Sequence, residues 1–316
     1  MAIDNISLLT LRIVLAVAEH GSIGRAAGEM NIATSAASKR IRDLEYELGA
    51  VLFHRQRTGL VVTDAGKALL DHARNLFLIL ERMQTNLAEF GQGVQGNVRV
   101  FANSSALLEF LPEELASFIQ RYPKVRILLE EQKTADVQRA VRDGLADIGI
   151  FAGAPTLPNL QSFPFRCDQL VLVVRKSHPL AGCAAIEFGD TLEYDHVGMG
   201  AGTSLHELIT AMAARQERSV NLVALVSSFD ALRRLIANGI GIGVMPEACI
   251  VPYAQLMGLA WVRLTDSWAT RQLNLCVRSF AELSKSAQLL AHHLIDSGSR
   301  SAADPVQMKP VLAWSR

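Results

Sequence analysis

The 316-residue sequence has no charge imbalance: 31 basic residues face 31 acidic ones, so the net charge at neutral pH is zero. That excludes a uniformly cationic nucleic-acid binder, which grips phosphates through bulk charge, and leaves room only for a local basic surface. Closely spaced cysteines are missing too. Cys167, Cys183, Cys249 and Cys276 stand far apart with no C-x-x-C pair, so neither a disulfide framework nor a zinc ribbon is indicated, and reduced thiols in the cytoplasm are expected. There is no uninterrupted apolar run at the start: MAIDNISLLTLRIVLAVAEH carries Asp4 and Arg12 and no basic leader, and it reads as an amphipathic helix, not an export or membrane segment. Nor is there a nucleotide-cofactor fingerprint. Gly91-Gln92-Gly93-Val94-Gln95-Gly96 has the letters of one, but it follows a helical pattern and precedes a strand, the reverse of the order a dinucleotide site needs. It reads as a hinge. No metal or cofactor is expected.

What is present begins with short helices over residues 1–62. Ser22 suits the cap of a helix through Met30 whose Ala26 and Ala27 let a second helix cross close to the backbone. After Asn31-Ile32-Ala33, Thr34 or Ser35 would cap a second helix ending at Gly49. It would bury Ala37, Ile41, Leu44 and Leu48 and carry Ser35, Ser38, Lys39 and Arg42 on the other side. Two short helices with a tight turn, the second led by small hydroxyl residues, form a helix-turn-helix pattern, in which small polar residues enter a groove and cations meet phosphates. The segment 52–62 then reads as a two-stranded wing with Arg55 and Arg57 near its tip. Candidate DNA contacts are Ser22, Thr34, Ser35, Ser38, Lys39, Arg40, Arg42, Arg55 and Arg57; an ordinary solvated helix face is the alternative.

Residues 63–92 carry Leu69, Ala73, Leu76, Leu80, Met83, Leu87 and Phe90 at alternating spacings of four and three. A stripe repeating every 3.5 residues calls for a partner helix, unless the helix packs on its own domain. Thr63 would cap it and Asp64 suits its positive end.

From residue 93 to about 300 strands and helices alternate, which predicts a mainly parallel sheet covered on both faces. In such folds ligands gather at carboxyl ends of strands beside helix amino termini. Three Ser/Thr clusters occupy such turns: Asn103-Ser104-Ser105, Gly202-Thr203-Ser204 and Ser227-Ser228-Phe229, with Ser204 and Glu207 spaced as a capping box. Phe151, Ala152 and Met245 would add apolar walls. Few cations occur in these loops, which favours a small carboxylate or an aromatic metabolite over a polyanion. His196, His206 and Cys167 fall near the same turns without forming a recognisable catalytic set, so no enzyme is expected; a cytosolic small-molecule-binding protein or an enzyme on the same domain is the alternative. Residues 301–316 read as a mobile tail.

The run GSIGRAAGEMNIATSAASKRIRDLEYELGAVLFHRQRTGLVVTDAG resembles the amino-terminal winged helix-turn-helix of LysR-type transcriptional regulators, through Ala26-Ala27, Ser38, Ile41, Leu44-Glu45, Leu48-Gly49, Leu52-Phe53, Arg55, Thr63 and Gly66. The likeness continues through Leu111-Pro112, Tyr122-Pro123, Gly144 with Asp147-Ile148-Gly149-Ile150, His178-Pro179-Leu180-Ala181 and Gly239-Ile240-Gly241-Ile242 to Pro246. It implies an α/β multidomain chain with a winged DNA-binding domain, a long dimerising linker helix and a two-lobed periplasmic-binding-protein-like effector domain. Lobe one would be 97–165 plus 268–296 and lobe two 166–267, with the effector between them. The implied partners are a double-stranded DNA operator, a small-molecule effector, a second copy of the chain and RNA polymerase. Where many members have a Gln-Pro pair, this chain has Thr34-Ser35, and the shorter Thr cannot make a bidentate amide contact to adenine.

Overall fold

The computed structural model describes residues 6–56, 59–92 and 94–303, with backbone alone at 81–82, 85–92 and 299–303. Its contacts divide the chain into two compact units, Met1–Gln84 and Thr85–Arg316.

The first unit contains α1 (Leu8–His20), α2 (Ile23–Glu29), α3 (Thr34–Leu48), the antiparallel hairpin β1 (Phe53–Gln56) and β2 (Gly59–Val62), and the start of α4 (Asp64–Gln92). Apolar residues at helical spacing on α1 meet Ala26 and Ala27 of α2 and Ala37, Ile41 and Leu44 of α3 in one core. Gly21 (φ 62) and Gly49 (φ 63) end α1 and α3 in the left-handed region, where glycine pays no steric penalty. Ser22 caps α2, its Oγ accepting from the Arg25 N–H at 3.5 Å. At α3 the expectation is corrected. The helix starts one residue earlier than read, with Ala33 as an extended N-cap, so Thr34 is already helical and neither Thr34 nor Ser35 caps it.

Four hydrogen bonds bind wing and helices together. Glu45 Oε1 accepts the N–H groups of Leu52 (2.7 Å) and Phe53 (3.4 Å); Thr63 Oγ1 donates to Val51 O (2.7 Å) and accepts from Gly66 N (2.9 Å), capping α4. Gly66 lies so close to the Leu52 carbonyl that a Cβ would overlap its oxygen and stand 2.8 Å from Val62 Cγ1. Leu70 and Ala73 of α4 are buried, whereas Leu76, Ile79 and Met83 are exposed. The backbone of α4 carries Leu87 and Phe90, whose side chains lie outside the described residues.

The second unit runs β3 (Gly96–Ala102), α5 (Ser104–Glu109), α6 (Leu111–Arg121), β4 (Val125–Glu131), α7 (Thr134–Arg142), β5 (Ile148–Ala152), β6 (Gln161–Arg175), β7 (Ala185–Ile186), α8 (Phe188–Thr191), β8 (His196–Met199), α9 (Ser204–Arg215), β9 (Leu222–Val226), α10 (Phe229–Ala237), β10 (Gly243–Pro246), α11 (Ala254–Met257), β11 (Leu259–Leu264), β12 (Thr270–Val277) and α12 (Lys285–Ala303). The sheet is mixed, which corrects the mainly parallel reading. Its order is β4-β3-β5-β12-β6-β11-β7 with β10 also on β6; β3 pairs parallel with β4 and β5, but β12 and β6 pair antiparallel with their main neighbours. The 15-residue β6 begins eight residues earlier than its apolar half, 169–175, suggests. A separate parallel pair, β8 and β9, completes the strands described.

Two large buried clusters result. One takes residues 98–165 together with 273–294, the other 170–269. Residues 166–169 of β6 and 270–272 of β12 therefore cross between two lobes, pairing Asp168 with Arg271 and Gln169 with Thr270. The helix α12 continues to Ala303, so 301–303 belong to it, and the rest of the expected tail, like Gly93 of the expected hinge, lies outside the described residues.

The clash at Gly66 predicts that Gly66→Ala lowers the stability of the first unit by about 1–3 kcal/mol, as overpacking of a tight contact does. Urea unfolding followed on residues 1–84 of the intact chain would show it; an unchanged midpoint would mean the α4 start yields freely.

Candidate nucleic-acid interface and ligand cleft

On α3, a rotation of about 100° per residue puts Ser35, Ser38, Lys39 and Arg42 on one face, opposite the buried Ala37, Ile41 and Leu44. Ser35, Lys39 and Arg42 are exposed and Ser38 half-buried. Thr34 and Arg40 are exposed but stand toward the two flanks of this face, and Arg40 is drawn to α1, donating to Thr10 Oγ1 at 3.5 Å. Ser22 is half-buried at its cap, and Arg55 is exposed on β1. Arg57 lies outside the described residues. The sequence reading passed over Tyr46, which extends the Ser35 face by one turn beyond Arg42 and is 90% exposed. A bare aromatic at i+7 from Lys39 was the available signal.

The second unit holds a cleft of about 770 Å³ between its lobes, within the range of small-molecule sites. One wall comes from the start of α5 and the β4–α7 turn: Asn103, Ser104, Ser105, Glu131, Gln132, Lys133 and Thr134. The other comes from 199–205 and 225–231: Met199, Gly200, Thr203, Ser204, Leu205, Leu225, Val226, Ser227, Phe229 and Ala231. Seven expected residues thus meet there: Asn103, Ser104, Ser105, Thr203, Ser204, Ser227 and Phe229.

Five do not line it. Phe151 is fully buried beneath α7 with Val137, Val141 and Cys276. Ala152 and Met245 belong to the two lobe cores, because their strands point these side chains away from the cleft. Ser228 caps α10, accepting from Ala231 N at 3.2 Å. Gly202 adopts φ 80 behind Lys133, whose Nζ would stand 3.2 Å from an added Cβ. The expected Ser204–Glu207 capping box is also replaced, since the cap is Thr203, which accepts from His206 N at 3.3 Å and donates to Gly200 O at 2.9 Å.

The turn between β4 and α7 was missed altogether. Lys133 Nζ donates across the cleft to Ala201 O at 2.8 Å, Ser104 donates to Glu131, and Thr134 Oγ1 is buried with no hydrogen-bond partner. Below the floor, Arg271 donates from Nε to Asp168 Oδ1 (2.8 Å) and from Nη2 to Asp168 Oδ2 and Ser105 Oγ (3.0 Å to the serine). The interlobe ion pair therefore orients a hydroxyl at the cleft. Close by, burial first, then the charge of Asp168 and to a lesser degree Glu247, against the pull of Arg271, push the Glu109 carboxyl up to about 8.

The residues considered for chemistry stay apart. His196 is buried and spends its ring nitrogens on Tyr194 O and Thr191 Oγ1; burial holds its pKa below the usual histidine range. His206 Nδ1 faces Met199 O at 3.1 Å. Burial pushes the Cys249 and Cys276 thiols up to about 12, far from thiolate reactivity. Among the described residues no group of His, Cys, Asp or Glu is spaced to hold a metal, and no helix is long and apolar enough to cross a membrane.

A winged helical head and a separate two-lobed domain with a ligand-sized cleft define a ligand-responsive DNA-binding regulator. Residues 8–67 match the bacterial regulatory helix-turn-helix protein of the lysR family and residues 91–299 the LysR substrate binding domain; the chain belongs to the LysR family. It is a LysR-type DNA-binding transcriptional regulator with an effector-binding domain. A probable RuBisCO transcriptional regulator of Thalassiosira pseudonana is 24% identical over 91% of this chain and 96% of its own length. The HTH-type transcriptional regulator YbhD of Escherichia coli (strain K12) is 26% identical over 89% of this chain and 88% of its own. Full-length CbnR complexed with its target DNA superposes with a TM-score of 0.74 at 18% identity, over 94% of this chain and 100% of that one.

The raised Glu109 pKa fixes a pH dependence. The folded state holds this proton from the ordinary value of 4.5 to about 8 while the unfolded chain has released it, so stability conferred by the group is complete below the lower value and lost as pH rises toward the upper one. Glu109→Gln should therefore raise the Tm at pH 8.5 by about 2–4 °C relative to the parent, with the gap vanishing near pH 4.5. Thermal unfolding across that range checks it, and parallel curves would refute it.

Proposed function

We propose that a small carboxylate effector enters the cleft and biases the equilibrium between lobe arrangements, and that the reading of DNA divides between a base-reading and a phosphate-holding set. The cleft reading is carried by one observation: Lys133, hydroxyls of both lobes and the amino end of α9 converge on the same space. The free N–H groups at that end favour an anion, and a ligand touching both walls can bias their relative arrangement only by binding one better than another. The effector is sensed without turnover in this reading: both ring nitrogens of His196 are engaged by Tyr194 O and Thr191 Oγ1, and His206 Nδ1 is held by Met199 O.

In the head, Ser35 and Ser38 face the bases while Lys39, Arg42 and the wing Arg55 hold phosphates. Arg57 would add to the wing. The head carries seven basic and six acidic residues over 1–62, so one head has little electrostatic grip, and two or more joined through α4 gain it by avidity. The exposed Leu76, Ile79 and Met83, with half-buried Leu80, support such pairing of α4 with a second copy. RNA polymerase is the remaining partner in this reading, and work on chromosomal DNA puts it in the cytoplasm.

Lys39→Ala and Arg55→Ala should weaken binding to every DNA sequence alike and each flatten the salt dependence by roughly one counterion. Ser35→Ala should instead change the ratio between matched and mismatched operators. Quantitative footprinting at several salt concentrations separates these; equal losses on both operators for all three variants would overturn the division. For the cleft, a carboxylate that raises Tm in the parent and not in Thr203→Val with Lys133→Met supports the reading. A neutral aromatic acting alone would replace it.

A further inference from the structure

Glu131 and Lys133 are the charged pair that the cleft wall presents, and their spacing is informative. β4 ends at Glu131, yet pairing to β3 continues one residue further, with Gln132 N donating to Ala102 O at 2.9 Å, and Lys133 is itself extended (φ −68, ψ 151). Residues i and i+2 of an extended segment project to the same side, about 6.6 Å apart along the chain. Gln132 between them also borders the cleft, but its side-chain amide is engaged by Glu130 Oε1, to which it donates at 2.5 Å.

The two charges do not neutralise one another: among the described residues no ion pair joins them. Among the described residues Glu131 receives only the Ser104 hydroxyl, which leaves its second oxygen for a cation. Lys133 gives one of its three protons to Ala201 O and keeps two for an anion beside the amino end of α9. Facing them, Leu205, Leu225 and Phe229 supply an apolar surface.

We propose that the effector is amphoteric, an α-amino acid with an apolar side chain: its ammonium on Glu131, its carboxylate on Lys133 and the α9 amino end, its side chain against Leu225 and Phe229. This rests on the carboxylate reading of the cleft and adds the ammonium. An ammonium and carboxylate on one carbon suit opposite charges two residues apart, whereas a simple carboxylate leaves Glu131 facing it as a like charge, an unfavourable pairing.

The test uses the full chain, with thermal shift and titration calorimetry against L-leucine, L-methionine, L-phenylalanine and L-tryptophan, each beside its 2-hydroxy acid. At least one amino acid should bind ten-fold or more tightly than its hydroxy counterpart. Glu131→Gln should erase that preference, and Lys133→Met should weaken both members of the pair; ligand-free Tm values of the variants read any folding defect separately. Equal binding of amino and hydroxy acids to the parent, or an unchanged preference in Glu131→Gln, overturns the ammonium site and leaves the carboxylate reading standing. Stabilisation by none of these compounds overturns both.

Discussion

The buried pair of Asp168 and Arg271 is the constraint on which the second unit depends. It lies where β6 and β12 pass from one lobe to the other, directly cross-strand, and it ties the cleft hydroxyl of Ser105 to that crossing. A charge pair so enclosed gives little net stability by itself, because desolvation offsets attraction, but removing either partner strands the other at a cost of about 3–5 kcal/mol. Its value is positional. Sliding β12 by one residue would separate the charges and turn every side chain to the opposite face, so the pair fixes the register of the strands that set one wall of the cleft against the other.

The head obeys a simpler logic. Small residues at Ala26, Ala27 and Ala37 let three helices meet at short range, and Glu45 takes over two wing N–H groups that would otherwise lack partners. Two backbone N–H groups at the start of β1 are thereby satisfied by one carboxylate of α3, which ties helix and wing together. The basic residues need not be numerous, because what matters is that they share a rigid face.

Several elements were legible because local chemistry announces them: Ser22 caps α2, Gly49 ends α3 and Thr63 caps α4. The antiparallel crossing was not legible. Its first half, Ser162 to Asp168, mixes Phe163 and Phe165 with polar residues and contains Pro164, and the register of β12 shifts between Leu273 and Asn274 opposite that proline, where the missing N–H breaks the ladder. A strand that leaves one core for another also changes its buried face, which blurs the period-two pattern. In the cleft, the three turns with clusters of small hydroxyls all contribute lining residues, but which way a strand-end side chain points was invisible for Phe151, Ala152 and Met245. Lys133 gives no such signal, because it stands alone as the extended cap of α7 and not in a cluster of hydroxyl residues.

Lobe one is assembled from two stretches separated by the whole of lobe two, and its last pieces, β12 and α12, come at the end of the chain. During synthesis at about 5–20 residues per second, the head is complete roughly 10–40 s before β12 leaves the ribosome. Throughout that interval a nascent chain has a finished DNA-reading surface and no finished sensor. The ligand-responsive half therefore forms after the DNA-binding head.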